Sequence, residues 1–333
     1  MNFRKKEPWL KSFSYFWHSF LSMQKYHIKT RAHFSLLAAN LIYGFNFSIA
    51  KDIMPGSIKP FALVALRTVV TTILFWIVSL FLPKDKVTRK DIFFLFACSF
   101  IGVVINQSLF LAGLNFTTPI NSSLIQTMNP IAAFIFAAAI LKEDISFIKV
   151  TGLTLGLSGV VLLILQGGRP QFGSATFIGN LYIFLSTISW ALYTVVIKRL
   201  LEKYHPVTVL KWTFLFGIIT TIPLGYSEFR ATNWSVLSLN EWLSIGFVVV
   251  AATFIGQLLI TSGLRNVSPT VVSSYTYLQP LIATIIASLM GQDRPDAVKI
   301  VSAILIFTGV YLVSKPQPLK FSFIKKPTPK SPA

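Results

Sequence analysis

A chain of 333 residues that is 53% hydrophobic and only 12% charged does not describe a soluble domain, because such domains carry about 25% charged residues. Its formal net charge of +19 would point to nucleic acid in a soluble protein, but here Lys and Arg flank apolar runs, where they set membrane orientation. A lipid bilayer is therefore the expected partner, and nucleic acid is not.

Residues 1–32 are basic and lack the continuous apolar core and small-residue cleavage site of a leader peptide. Trp9, Leu10, Phe13, Phe16, Trp17, Phe20 and Leu21 recur at helical spacing between lysines. Two readings stay open: an amphipathic helix lying on the cytoplasmic membrane surface, or an extension ahead of a start at Met23. Ten apolar runs follow, at about 33–50, 60–82, 91–113, 119–141, 147–165, 175–197, 207–226, 241–263, 269–290 and 297–314. Each approaches the roughly 20 residues that cross a bilayer core. The loops are too short for a separate soluble domain. Residues 315–333, rich in Pro and Lys, read as a disordered cytoplasmic tail. The single cysteine, Cys98, falls inside a run and permits no intramolecular disulfide.

The chain uses one pattern twice. At an ungapped offset of 150, Gln107 falls on Gln257, Gly113 on Gly263, Pro119 on Pro269, Pro130 on Pro280 and Gly159 on Gly309. Glu143 meets Asp293, another acid at the same corner. Around the first run of each half the offset is 147, with Tyr43 on Trp190 and Lys51 on Lys198. Five runs per half is an odd number, so the second half must enter the membrane from the other side. The expected fold is an all-α polytopic membrane protein of ten transmembrane helices in two inverted five-helix repeats, residues 33–165 and 175–314. Lys and Arg concentrate at residues 4–31, 84–90, 142–149, 198–203 and the tail, which places both termini in the cytoplasm. The expected location is a bacterial inner or plasma membrane.

The order and spacing of several stretches resemble the EamA-type members of the drug/metabolite transporter superfamily. These are Leu41–Lys51, Leu66–Thr68, Pro119–Pro130, Lys142 with Glu143, and Gly152–Gly159, repeated in Ser268–Pro269, Pro280, Gln292–Asp293 and Gly309. The similarity covers about residues 33–314. Asp293 stands where that family usually carries Glu. The resemblance implies movement of small metabolites, often amino acids or related compounds, without ATP.

Polar side chains in hydrocarbon face the bundle interior, pair with each other or line a cavity. Tyr43 and Asn46 share a helical face, and Trp190 and Tyr193 mirror them. Asn106, Gln107 and Gln257 lie well inside their runs; Ser122, Gln126 and Asn129 share a face; Tyr275 and Gln279 occupy the corresponding run of the second half. These twelve are expected to wall a mid-membrane substrate cavity; the alternative is hydrogen bonding that holds helices together. Pro130 and Pro280 each remove a helical hydrogen bond and are candidate hinges. Arg67 is expected either to meet a carbonyl, a polar cluster or an anionic substrate group or to snorkel to the outer interface, and Lys51 either to guard the outer mouth or to anchor a helix end. Glu143 and Asp293 read as local caps or ion pairs beside Lys142 and Arg294. Gly152, Gly156 and Gly159 mark close helix packing.

No acid sits mid-run, no P-loop or dinucleotide fingerprint appears, and no cofactor or metal is expected. The function expected is that of a secondary transporter rather than an enzyme: an exporter of amino acids or related polar or amphiphilic compounds, monomeric or homodimeric. Alternatives are a nucleotide- or sugar-derivative carrier, which would call for more cavity cations, and, in another class, a lipid scramblase or a non-transporting membrane protein.

Overall fold

The computed structural model describes residues 8–82, 84–141, 147–165 and 174–314, with side chains from Thr30 on except at scattered positions such as Lys149. Lys142, Glu143, Arg169 and the C-terminal tail lie outside the described residues, and the side chains of the apolar face at Trp9–Leu21 are likewise not described.

The described residues form ten helical rods and no strand. They are α1 (Pro8–Ile53), α2 (Pro60–Ser79), α3 (Arg89–Phe116), α4 (Pro119–Gln126, then Asn129–Leu141) and α5 (Phe147–Ile164). The second set is α6 (Ala175–Leu201), α7 (Pro206–Ala231), α8 (Leu239–Asn266), α9 (Pro269–Ser274, a 3₁₀ turn at Tyr275–Tyr277, then Leu278–Leu289) and α10 (Ala297–Ser314). Seven of them, α2, α3, α4, α6, α7, α8 and α9, are long and apolar enough to cross a membrane, while α5 and α10 carry shorter apolar stretches. Phe34, Ile73, Phe81, Phe93, Ile219 and Leu289 point outward and are exposed. An exposed belt of this kind suits hydrocarbon rather than water.

The sequence repeat reappears in details it does not spell out. Residues Phe100–Ile105 of α3 and Phe247–Ile255 of α8 widen into π-helical turns. Each rod then ends in extended backbone, at Thr117 and at Val267. The next begins with a hydroxyl cap and a proline, where the missing N–H costs nothing: Thr118 accepts from the Asn121 N–H before Pro119, and Ser268 from the Val271 N–H before Pro269. Pro130 and Pro280 cannot donate to the carbonyls four residues back, at Gln126 and Thr276. The helix breaks there, between Gln126 and Asn129 in α4 and through the 3₁₀ turn of α9.

Packing obeys the same pairing. α5 runs along α10, and α2 along α7, so each meets its own counterpart five helices on. The second half of α3 packs on α6 as the second half of α8 packs on α1. The α5–α10 contact is close because glycine faces glycine: a Cβ on Gly309 would strike the backbone of Gly152 and Gly156, and one on Gly159 would meet Ser302 O at 2.8 Å.

One packing breaks the pairing. The first segment of α4 lies against both α6 and the second segment of α9, and Pro119–Ile125 are all buried. The first segment of α9 packs mainly on α4, less on α6 and the end of α8, while the Tyr275–Tyr277 turn meets α1, leaving Pro269, Val271 and Ser274 half-buried. The Pro119 end of the bundle is sealed by Phe47, Ile53, Leu114, Ile120 and Leu124 of one apolar cluster. At the Pro269 end Leu264 and Val272 join a second apolar cluster, but among the described residues of the α9 segment only Val272 and Ser273 are buried, so this end is looser.

Candidate functional site

A cavity, part of it open to the outside, lies where the two halves meet. Most of its lining reads as repeat pairs. Asn40 and Thr187 line it together, as do Tyr43 and Trp190, Gln107 and Gln257, Phe110 and Ile260, Gln126 and Thr276, and Asn129 and Gln279. Asn46, Phe47, Arg67, Asn106 and Val272 line it without their counterparts. The cavity therefore straddles the axis that relates the halves.

Nine of the twelve side chains singled out from sequence reach this cavity: Tyr43, Asn46, Asn106, Gln107, Gln126, Asn129, Trp190, Gln257 and Gln279. Three do not. Ser122 is wholly buried in the first segment of α4. Tyr193 packs against the bare backbone of Gly102 and lies 5.3 Å, centroid to centroid, from the ring of Trp190. Tyr275 shares a 2.7 Å hydrogen bond with His33 Nδ1, tying α9 to α1 away from the cavity. Lys51 also stays outside: its ammonium donates to Leu114 O at 3.1 Å and Asn115 O at 2.8 Å, holding the end of α3. Asp293 pairs with Lys299 at 2.6 Å and also accepts the backbone N–H of Arg294 at 2.8 Å, a local cap and ion pair together.

Sequence reasoning missed Asn40, Phe47, Phe110, Thr187, Ile260, Val272 and Thr276. Helical spacing from Tyr43 and Gln107 reaches Asn40, Phe47 and Phe110. The repeat offset then carries Asn40 to Thr187, Phe110 to Ile260 and Gln126 to Thr276. The signal was present in the repeat itself.

Some of the polar lining is structural. Asn106 Nδ2 donates to Ser186 O and Oγ at 2.9 and 3.0 Å, and Ser186 Oγ donates back to Asn106 O, fastening α3 to α6. Asn40 Nδ2 donates to Leu36 O, and Thr187 Oγ1 to Ile183 O, the same bond in both repeats. Gln279 Nε2 then donates to Asn40 Oδ1 at 2.7 Å. Thr187 is too short to give Asn129 the equivalent partner.

Other lining groups are buried and have no hydrogen-bond partner within the protein. These are Tyr43 OH, Asn46 Oδ1, Asn129 Oδ1, Gln279 Oε1, both polar atoms of Gln107, and Nε and Nη1 of Arg67. Buried polar groups are ordinarily paired, so these eight atoms call for water or a ligand in the cavity to complete their hydrogen bonds. Arg67 is only 5% exposed, and it does not snorkel. The reason is its depth: it stands seven residues, about 10 Å, from the start of α2, on the face turned toward the cavity. Among the described residues no Asp, Glu, His or Lys lines the cavity, and no group of three or more His, Cys, Asp and Glu could hold a metal ion.

The EamA-like transporter family matches residues 30–165 and again residues 177–315. The chain belongs to that family. EamA-like relatives include the uncharacterized transporter YyaM of Bacillus subtilis (strain 168), 26% identical over 84% of this chain and 92% of its own. YetK of the same strain is 25% identical over 86% and 88%. The WAT1-related protein At3g18200 of Arabidopsis thaliana is 28% identical over 66% of this chain and 63% of its own. A solved crystal structure superposes with a TM-score of 0.61 at 18% identity, covering 86% of this chain and 97% of that one, a likeness of fold alone. With two EamA matches and its apolar helices, the chain is a multi-pass integral membrane transporter.

Proposed function

We propose that the protein is a secondary transporter, not an enzyme, that exports amino acids or related polar and amphiphilic compounds across the bacterial cell membrane by alternating access. All ten helices span the bilayer, as two inverted repeats with both termini in the cytoplasm, since five spans per repeat reverse the second and Lys and Arg gather at that face. The observation that carries the reading is the cavity on the repeat axis, lined by six matched pairs and rich in unpartnered amide groups. A site in that position stays put while the halves rock around it.

In this orientation the sealed Pro119 end is extracellular and the looser Pro269 end cytoplasmic, so the conformation faces inward. Exchange of the two arrangements between α4 and α9, hinged at Pro130 and Pro280, yields the outward-facing one. The test is metabolite profiling of the medium of cells that overproduce the intact protein or the Arg67→Ala, Gln126→Ala double variant. Accumulation of defined amino acids or related compounds only with the intact protein is the expected result. An unchanged medium in both strains overturns export.

A further inference from the structure

Most of the cavity's lining is paired between the repeats, but its charge is not. α2 and α7 both begin on a proline, Pro60 and Pro206. Counted from these, Arg67 corresponds to Thr213, a side chain whose hydroxyl bonds to Val209 O of its own helix. One flank of the cavity thus holds a guanidinium and the other holds nothing charged.

That guanidinium is buried without a counter-ion. Among the described residues its Nε and Nη1 find no acceptor, and no carboxylate lines the cavity. Leaving a buried charge unpaired is strongly destabilising, so a structural arginine here would be matched by an acid or by carbonyl oxygens. Lys51 and Lys198 show how this chain treats cations that only hold helices: their ammonium groups rest on two and three backbone carbonyls. Arg67 has neither arrangement. The guanidinium presents paired N–H groups in a plane, the geometry that takes a carboxylate by two parallel bonds. The remaining unpartnered groups are mostly oxygens, at Asn46, Asn129 and Gln279, which accept from donors.

We propose that Arg67 is a carboxylate subsite that restricts the cavity to monocarboxylates. The carboxylate lies toward α2, and any hydrogen-bond donor carried elsewhere in the molecule meets the Asn129 and Gln279 oxygens. Amines and organic cations without a carboxylate are rejected, because the guanidinium repels them and no acid among the described lining residues attracts them. This rests on the reading of the cavity as the substrate site, and it narrows the substrate class.

The test uses the purified full chain in lipid nanodiscs, with thermal unfolding read against phenylacetate, its neutral isostere phenylacetamide, and the cation phenethylamine. Saturable stabilisation by phenylacetate is expected, with at least tenfold weaker response to the other two. Arg67→Gln is expected to lose the phenylacetate response at least tenfold while melting, without ligand, at or above the intact protein's temperature. Arg67→Lys, which keeps the charge without the fork, should respond in between. Equal responses to acid and amide in the intact protein overturn the subsite, as does an undiminished response in Arg67→Gln. A ligand-free melting temperature that falls in Arg67→Gln also overturns it, since that is the behaviour of a structural anchor. The two readings separate cleanly. If amino acids leave the cell but acid and amide bind alike, export stands and the subsite falls. If phenylacetate binds through Arg67 and no amino acid moves, the subsite stands and the amino-acid reading falls.

Discussion

Lys51 and Lys198 make the same bond in the two repeats. Each sits in the last turn of the first helix of its half, and each donates its ammonium to the closing carbonyls of the third helix. Leu114 and Asn115 accept from Lys51; Leu264, Arg265 and Val267 accept from Lys198. Carbonyls at a helix C-terminus lack intrahelical partners and carry the negative end of the helix dipole, so a cation satisfies both needs. Lys51→Met and Lys198→Met should therefore each lower stability by about 2 kcal/mol, the scale of hydrogen bonds to a charged group. The two losses should add, because the sites share no partner. Thermal unfolding of both single variants and the double variant checks this, and a Lys51→Met protein as stable as the original would show the bond to be idle.

His205 makes stability depend on pH. It caps α7 by accepting from the Val207 N–H at Nδ1, and its own backbone N–H donates to Asp85 Oδ2 at 2.7 Å. Burial lowers its pKa below the ordinary 6.5, the Arg265 charge lowers it further, and Asp85 opposes them. A protonated ring also cannot accept at Nδ1. The unfolded chain therefore binds the proton more readily, so stability contributed here is present above pH 6.5 and is lost as pH falls through that value toward the folded pKa. His205→Asn keeps a capping oxygen without the titration. Its melting temperature should vary less between pH 7.5 and pH 5 than that of the intact protein, and an identical slope would rule His205 out as the source.

The α5–α10 contact tolerates no side chain at its centre. Gly309→Leu should destabilise by about 1–3 kcal/mol or more through overpacking, because a Cβ there already strikes the backbone of Gly152 and Gly156. Gly246 provides the contrast. It is helical, and a Cβ added there meets nothing within 4 Å. Gly246→Ala should stabilise by about 0.5–1 kcal/mol through lower backbone entropy in the unfolded chain. Denaturation of both variants in the same detergent decides the pair.

Much of this architecture was legible because the chain states it twice. Pro119 with Pro269 and Pro130 with Pro280 marked where rods start and break, since proline acts through its own missing N–H wherever it stands. Gly152, Gly156 and Gly159 marked a close contact, and Gly309 completed it from the other repeat. What periodicity does not encode is which of several polar neighbours a side chain prefers. Tyr193 mirrors Asn46 in sequence, yet its ring fills the space left by Gly102 instead of facing the cavity. Lys51 finds carbonyls 63 and 64 residues away. The π-helical turns of α3 and α8 left no mark in composition either, because they replace one hydrogen-bond pattern by another among the same apolar residues.

Ser122 and Val272 occupy equivalent places in the two repeats and sit differently. Ser122 lies sealed in the first segment of α4, whereas Val272, itself only 3% exposed, borders the cavity from the first segment of α9. If the two ends exchange arrangements during transport, these positions report on the exchange. In the resting protein, Val272→Cys should react with a small membrane-impermeant thiol reagent applied from the cytoplasmic side, and Ser122→Cys should not react from either side. The native thiol, Cys98, is buried and serves as the unlabelled background. Conditions that hold the transporter outward should reverse the pattern, protecting residue 272 and exposing residue 122 to reagent from outside. Labelling of both positions under one condition would instead describe a continuous pore, and failure of residue 122 to react under any condition would mean that the α4 end never opens. Alternation requires opposite changes at the two positions, because closing one end is the same rearrangement of a repeat as opening the other.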